Sequence, residues 1–375
     1  MSSDPLRFII SGGGTGGHIF PAISIANAIR ERWSDAEILF VGAEGRMEME
    51  RVPSAGYKIV GLSVAGFNRK SLIKNISVVF KLLKSMNKAR KIITDFNPDV
   101  AIGVGGYASG PVLRAATSKR IPTLIQEQNS YAGVTNKILS KKASKICVAY
   151  DNMERFFPKD KIVLTGNPTR QDLRVTEANI QEGYDFFKLD PQKKTVLMVG
   201  GSLGARTLNE SIVSAFELIK QSDIQVIWQC GKFYYEEMKI LQSKDIIPKN
   251  VLLLDFVSRM DYAYSIADLV ISRAGAGSIS EFSILEKSVI LVPSPNVSED
   301  HQTQNAMALV KHGAAIMITD KEAKEKLFPT AIDLITDSDK LESLSQNIAK
   351  LAQFNSADRI VDEIEKLIKN KIRKD

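Results

Sequence analysis

The chain has 375 residues, 44% of them apolar and 25% charged, with a formal net charge of +7. That length and balance suit two ordinary domains with real cores and exclude a disordered or fibrous chain. Its two cysteines, Cys147 and Cys230, are far apart with no C-x-x-C spacing, which excludes a disulfide scaffold and fits a reducing compartment. Nothing reads as a signal peptide, and no apolar run approaches the ~18 residues of a membrane span, so the protein is expected on the cytosolic side.

The first element is the strand "FII" (8–10), followed by "SGGGTGGH" and the helical apolar spacing of "PAISIANAIRERW" (21–33). A glycine-rich strand-to-helix turn lets backbone N–H groups approach an anion, and the helix start adds partial positive charge. The turn therefore reads as a phosphate cradle. Gly12, Gly14 and Gly17 satisfy G-x-G-x-x-G, yet Glu44, the acid beyond the second strand "EILFVG" (37–42), comes too late for a dinucleotide ribose. His18-Ile19 stands where a Walker loop carries Lys-Ser/Thr. His18 keeps two readings, a helix-start residue capping the sheet or an acid–base group.

Next comes a basic stretch. Between Glu50 and Asp95 there is no acid, while ten Lys and Arg residues accumulate, so the remainder of the chain sums to −3. Within "SLIKNISVVFKLLKSMNKARK" (71–91), Lys74, Lys81, Lys84, Lys88 and Lys91 share one helical face, and Leu72, Ile76, Val79, Leu83 and Met86 another. Such a helix either covers a sheet with a solvated lysine face or docks on an anionic lipid surface.

The opening pattern then recurs. "VAIGVGGYASGPVL" (100–113), "TVLMVGGSLGARTLN" (195–209) and "LVISRAGAGSISE" (269–281) each run from an apolar strand through a small-residue turn into a helix. Strands alternating with helices predict parallel sheets, in two doubly wound Rossmann-like α/β halves facing each other across a cleft. The halves are expected at 1–167 and 168–354, with the polar stretch 166–194 as the linker. The closing "SADRIVDEIEKLIKNKIRKD" (356–375) is an amphipathic helix with no strand after it, expected to pack back on the first half. Two facing sets of anion-friendly turns point to a sugar-nucleotide glycosyltransferase that needs no metal. The lone D-x-D, Asp337-Ser338-Asp339, reads as a helix start.

The strings "SGGGTGGHIFPA", "GVGGYASGP", "EQNSYAGVTNK", "GNPTR", "GGSLGAR", "RAGAGSISE" and "DHQTQNA" occur in this order over roughly residues 6 to 320. In this the chain resembles the MurG family of bacterial peptidoglycan enzymes. The resemblance implies a GT-B fold and inverting transfer of N-acetylglucosamine from UDP-N-acetylglucosamine. The acceptor would be the 4-hydroxyl of undecaprenyl-pyrophosphoryl-N-acetylmuramoyl pentapeptide (lipid I), the product lipid II, and the place the cytoplasmic face of the membrane. No cofactor or metal is implied.

The same resemblance assigns roles to matched positions. Ser202 would contact the donor diphosphate. Ala276, Gly277, Ser278, Ile279, Ser280 and Glu281 would form the nucleotide turn and helix start, with Ser278 near phosphate and Glu281 on the ribose hydroxyls. Val257 would offer its backbone to uracil, Gln302 and Asn305 would bond the sugar, and Arg170 would add positive charge. Thr15, Gly16, Gly17 and Asn129 would face the ligands in the first half. The base would be His18 or Glu127, since histidine titrates near neutrality and a carboxylate in a closed site can be tuned. Two departures stand out: "QEQN" puts Gln126 where the family commonly has histidine, and "GAGS" (275–278) replaces "GALT".

The basic segment 69–91 would bring the enzyme to an anionic membrane surface, as a lipid-linked acceptor requires. Rival readings are a related transferase with another lipid acceptor, a UDP-sugar epimerase, an NAD-dependent oxidoreductase, or a noncatalytic nucleic-acid-binding protein. No nucleic-acid partner is expected, because the basic charge is confined to one segment without aromatic interleaving or a recognition-helix pattern.

Overall fold

The computed structural model describes residues 4–64, 72–169, 175–297 and 300–372. The chain divides into two compact units, residues 1–170 with 353–375, and residues 171–352.

In the first unit the elements alternate: β1 (Arg7–Ser11), α1 (Gly16–Arg32), β2 (Glu37–Ala43), α2 (Glu48–Ser54), β3 (Lys58–Leu62), α3 (Leu72–Phe96), β4 (Val100–Gly103), α4 (Ser109–Ser118), β5 (Thr123–Glu127), α5 (Val134–Ser140), β6 (Lys145–Val148) and β7 (Ile162–Leu164). The strands pair in parallel in the order β3-β2-β1-β4-β5-β6-β7. Their continuous apolar runs follow from burial on both faces. Phe8 and Ile10 of β1 point into a core with α1, while Ile9 points into the opposite core with Ala89 and Ile93 of α3 and Val112 of α4.

The second unit runs α6 (Glu177–Phe187), β8 (Lys194–Val199), α7 (Arg206–Ser214), α8 (Phe216–Gln221), β9 (Ile224–Gln229), α9 (Tyr235–Ser243), β10 (Val251–Leu254), α10 (Met260–Ile266), β11 (Leu269–Ser272), α11 (Ala276–Ile284), β12 (Val289–Leu291), α12 (His301–Val310), β13 (Ile316–Met317), α13 (Ala323–Thr336) and α14 (Ser338–Ala349). Its six parallel strands are ordered β10-β9-β8-β11-β12-β13. Much of the stretch 166–194 is not a linker: Thr176 caps α6 by accepting the Asn179 N–H at 3.1 Å, and the helix packs on α10. The packing is close, since a Cβ on Gly183 would lie 2.8 Å from Ile266.

The last helix, α15 (Ser356–Ile372), returns to the first unit. Ile360, Val361, Ile364, Leu367 and Ile368 repeat at helical spacing and join the α1 core, and Arg32 bridges Asp362 and Glu365 at 2.9 Å each. Asp337 accepts the Lys340 N–H at 3.0 Å as the cap of α14, so the D-x-D is a helix start.

Candidate active site

Each sheet reverses its winding between two hydrogen-bonded neighbours, β1 and β4 in the first unit and β8 and β11 in the second. Ligands of open parallel sheets bind beyond the carboxyl ends of strands at such switch points. All four small-residue turns leave these four strand ends.

In the first unit the turns after β1 and β4 pack against each other. A Cβ on Gly106 would stand 2.4 Å from the Gly13 carbonyl oxygen, and one on Gly13, whose φ is +144°, 2.1 Å from the Glu48 carboxylate. Glu48 is buried, and its carboxylate accepts the Gly14 N–H at 3.0 and 3.1 Å and the Ala43 N–H at 3.0 Å. The turn thus differs from the phosphate cradle its glycines suggest. An incoming phosphate at Gly14 would meet a carboxylate already there. The turn exposes Gly14, Thr15 and Gly17, with half-buried Gly16 between the last two, at the start of α1.

His18 sits in the first turn of α1, its ring against the second glycine turn, where a Cβ on Gly105 would lie 2.8 Å from its Cε1. Its Nδ1 is 3.0 Å from Gln128 Oε1. Glu127, the rival base, is 1% exposed. One of its oxygens accepts the Asn129 backbone and side-chain N–H groups at 3.1 and 3.2 Å. The other accepts Gly133 N–H at 3.0 Å and Asn136 Nδ2 at 2.9 Å. Through these four bonds the carboxylate ties Asn129 and the start of α5 to the end of β5.

In the second unit, Gly204 and Gly231 interlock. A Cβ on Gly204, at φ +86°, would lie 2.1 Å from the Cys230 carbonyl oxygen. Ser202 is exposed in this turn, and its carbonyl accepts the Lys232 N–H at 3.3 Å. Val257 follows β10 with its side chain buried. α11 starts at Ala276 behind an extended Gly275, which has no side chain of its own to cap the helix, and the N–H groups of Ala276, Gly277 and Ser278 belong to its first turn. Ile279 is buried packing, and Ser280 donates to the Ala276 carbonyl at 3.1 Å.

Glu281 is the sixth residue of α11, beyond the first turn where an acid complements the helix dipole. Instead, buried Tyr264 donates its hydroxyl to Glu281 Oε2 at 3.0 Å. From α12, Asn305 donates to the Ala274 carbonyl at 3.4 Å, and Gln302 accepts the Ser294 N–H at 2.8 Å. Arg170 lies outside the described residues.

Sequence reasoning missed Arg273, although it stands inside the quoted "RAGAGSISE". Its guanidinium donates to Asp320 at 2.5 Å and to the Val292 and Pro293 carbonyls at 3.0 and 3.3 Å. Thr207 donates to the other Asp320 oxygen at 2.9 Å, so Asp320, which follows β13, links the turn after β11 to α7. Glu48, Gln128 and Tyr264 were also missed, because their partners at Gly14, His18 and Glu281 lie 34, 110 and 17 residues away, and so was Asn136, whose bond to Glu127 crosses from a strand end into the next helix. Burial pushes the Cys147 thiol up to about 12 and the Cys230 thiol up to about 11, which leaves neither as a nucleophile.

Residues 8–148 match the glycosyltransferase family 28 N-terminal domain, and residues 195–362 match the glycosyltransferase family 28 C-terminal domain. A curated relative from Parabacteroides distasonis, named UDP-N-acetylglucosamine–N-acetylmuramyl-(pentapeptide) pyrophosphoryl-undecaprenol N-acetylglucosamine transferase, is 62% identical over 97% of this chain and 99% of its own length. The protein of the same name from Bacteroides fragilis is 59% identical over 97% of this chain and 96% of its own. The crystal structure of MurG from Acinetobacter baumannii superposes with a TM-score of 0.77 at 30% identity, covering 96% of this chain and 100% of that one.

Proposed function

We infer the mechanism from one premise: the chain belongs to glycosyltransferase family 28, in its MurG branch, and is a UDP-N-acetylglucosamine-dependent N-acetylglucosaminyltransferase. It moves the sugar onto N-acetylmuramyl-(pentapeptide) pyrophosphoryl-undecaprenol, lipid I, and so makes lipid II for peptidoglycan. The observation that carries the residue assignments is the pair of switch points, at which each unit gathers its small-residue turns.

The second unit takes the donor. The opening N–H groups of α11 and the exposed Ser202 suit a diphosphate, and Glu281 accepts from the ribose hydroxyls. Val257 offers its backbone to uracil, while Gln302 and Asn305 serve the sugar. Arg170 adds positive charge to the leaving diphosphate.

The first unit takes the acceptor, with Thr15, Gly16, Gly17 and Asn129 at its switch point. The muramoyl 4-hydroxyl attacks the anomeric carbon from behind. The new C–O bond forms as the bond to the diphosphate breaks, and UDP leaves with the electron pair. His18 takes the hydroxyl proton. Glu127, occupied by four donors, holds Asn129 in place and is not the base.

Docking on the cytoplasmic leaflet falls to the first unit. Phe80 is 69% exposed and Leu83 54% on α3, beside exposed Lys81 and Lys84, and Ile138 of α5 is 68% exposed. α4 packs against both α3 and α5. Arg69 and Lys70 lie outside the described residues. Among the described residues no helix is long and apolar enough to cross a membrane. Surface apolar groups amid basic ones suit an anionic interface.

The direct test is transfer of radiolabelled N-acetylglucosamine from its UDP donor to a lipid I analogue. Absence of transfer by folded protein would overturn the reading.

A further inference from the structure

We propose that Gln128 is a positioning residue that fixes the tautomer of His18 as Nδ1–H, through a directional chain of side-chain amides running from Asn167 to His18. The inference rests on the reading of His18 as the base, and it adds the group that sets which ring nitrogen does the work.

The orientation of each amide follows from its neighbours. Asn167 Nδ2 donates to the Gln128 carbonyl at 3.0 Å, so Asn167 Oδ1 is the acceptor for Gln126 Nε2, also at 3.0 Å. The Gln126 side-chain oxygen then accepts from Gln128 Nε2, which also donates to the Val104 carbonyl at 2.8 Å. Turning the Gln128 amide over would set its oxygen against the Val104 carbonyl and the Gln126 oxygen. With Nε2 so committed, Gln128 Oε1 faces His18 Nδ1 at 3.0 Å as an acceptor, and the ring must donate. A neutral imidazole with its proton on Nδ1 carries its basic lone pair on Nε2.

All three amide side chains are buried, at 2% exposure or less, so their bonds face little competition from water. The chain also explains the residue at 126. The position needs one donor, toward Asn167, and one acceptor, toward Gln128. Glutamine supplies both, and so does a neutral histidine.

The test reads the tautomer directly. Long-range ¹H–¹⁵N spectra of histidine-labelled full-length protein distinguish Nδ1–H from Nε2–H, with His18→Ala assigning the signals. We expect Nδ1–H in the wild type and loss of that preference in Gln128→Met and in Gln126→Leu. Gln126→His, which keeps one donor and one acceptor, should retain it. In Gln128→Met, kcat should fall by at least about tenfold while both KM values stay within about twofold. An Nε2–H tautomer in the wild type would overturn the proposal whatever the kinetics, and that measurement needs no variant to fold. A shifted tautomer in folded Gln128→Met with unchanged kcat would instead overturn the reading of His18 as base, and the positioning role with it.

Discussion

The Tyr264 hydroxyl donates to Glu281 Oε2 at 3.0 Å, from a tyrosine buried in α10 to a carboxylate in the second turn of α11. That bond orients the carboxylate proposed to accept from the ribose hydroxyls. Glu281→Ala should raise KM for UDP-N-acetylglucosamine by the equivalent of roughly 1.5–3 kcal/mol, the worth of a charged hydrogen bond. Tyr264→Phe should raise it by about 0.5–1.5 kcal/mol, leaving the acceptor KM unmoved. Unchanged donor kinetics in folded Glu281→Ala would remove the ribose assignment.

His18 and Glu127 separate by the kind of damage their loss does. His18→Ala should lower kcat by at least about 10²-fold with little change in Tm, and should abolish the acidic limb of the kcat/KM pH profile. Glu127→Gln presents an NH₂ group to donors that now meet carboxylate oxygens, leaving about two of them unsatisfied. It should cost roughly 2–4 kcal/mol of stability in thermal or urea unfolding. A Glu127→Gln variant of wild-type stability with a larger kcat loss than His18→Ala would reverse the two roles.

Much of this architecture was legible in the sequence because its signals are local. Each apolar strand, small-residue turn and helix start occupies consecutive residues, and the strings around Ser202 and Glu281 mark the second switch point without any knowledge of pairing. The reading faltered where a contact spans the chain. Glu48 meets Gly14 across 34 residues and Gln128 meets His18 across 110, and no spacing rule connects either pair. The stretch containing α6 looked like a linker because Glu177, Asn179, Gln181 and Asp185 dominate its composition. Gly183, packed on Ile266, and Phe186, edge-on to Tyr262 with ring centroids 5.8 Å apart, tie it to α10 of the second unit, and Phe187 is buried.

Glu48 governs the first glycine turn. Glu48→Ala removes the acceptor for two backbone N–H groups and opens a void beside Gly13. A loss of about 2–5 kcal/mol is expected, with a rise in acceptor KM as Thr15 and Gly16 lose their support. Gly13→Ala should be as damaging, because its Cβ would lie 2.1 Å from the Glu48 carboxylate at φ +144°. Wild-type unfolding curves for both variants would show the turn to be held by something else.

Lys287 makes a pH-dependent contribution to stability. Its ammonium is pushed down to about 8 by burial, against the opposing pull of Asp268, and it lines a 410 Å³ cavity with Tyr184 and Lys194. A lysine whose folded value lies below its unfolded 10.5 binds fewer protons when folded between those two pH values, so stability rises with pH across that window. Below pH 8 the group is charged in both states and the full burial cost, roughly 3 kcal/mol, is present. Lys287→Met removes that cost and also the bond to the Ala267 carbonyl at 3.0 Å. The variant should therefore be more stable than wild type at pH 7, by about 1–2 kcal/mol. Wild type should recover against it between pH 8 and 10.5 in urea unfolding. Parallel stability curves across that range would contradict the assignment.

The membrane surface can be resolved lysine by lysine. Lys88 bonds Glu44 at 3.1 Å, and Glu44 is held below the usual carboxylate range by the Ser63 hydroxyl first and Lys88 second. Lys88 is thereby paired, whereas Lys81 and Lys84 stand exposed beside Phe80 and Leu83, with Lys84 acting on Glu44 only through the weaker charge–charge attraction. Each basic residue near an anionic leaflet contributes about 1 kcal/mol, and the contribution fades as salt shortens the Debye length. Lys81→Gln with Lys84→Gln should weaken binding to phosphatidylglycerol vesicles by about tenfold or more at low salt, and much less at 0.5 M, while Lys88→Gln should do less than either alone. Phe80→Ser with Leu83→Ser should weaken binding at both salt concentrations, because the apolar contribution is not screened. Turnover of a short-chain soluble acceptor should survive all of these changes. Equal vesicle binding by wild type and the Lys81/Lys84 double variant would return α3 to an ordinary sheet-covering helix with a solvated face.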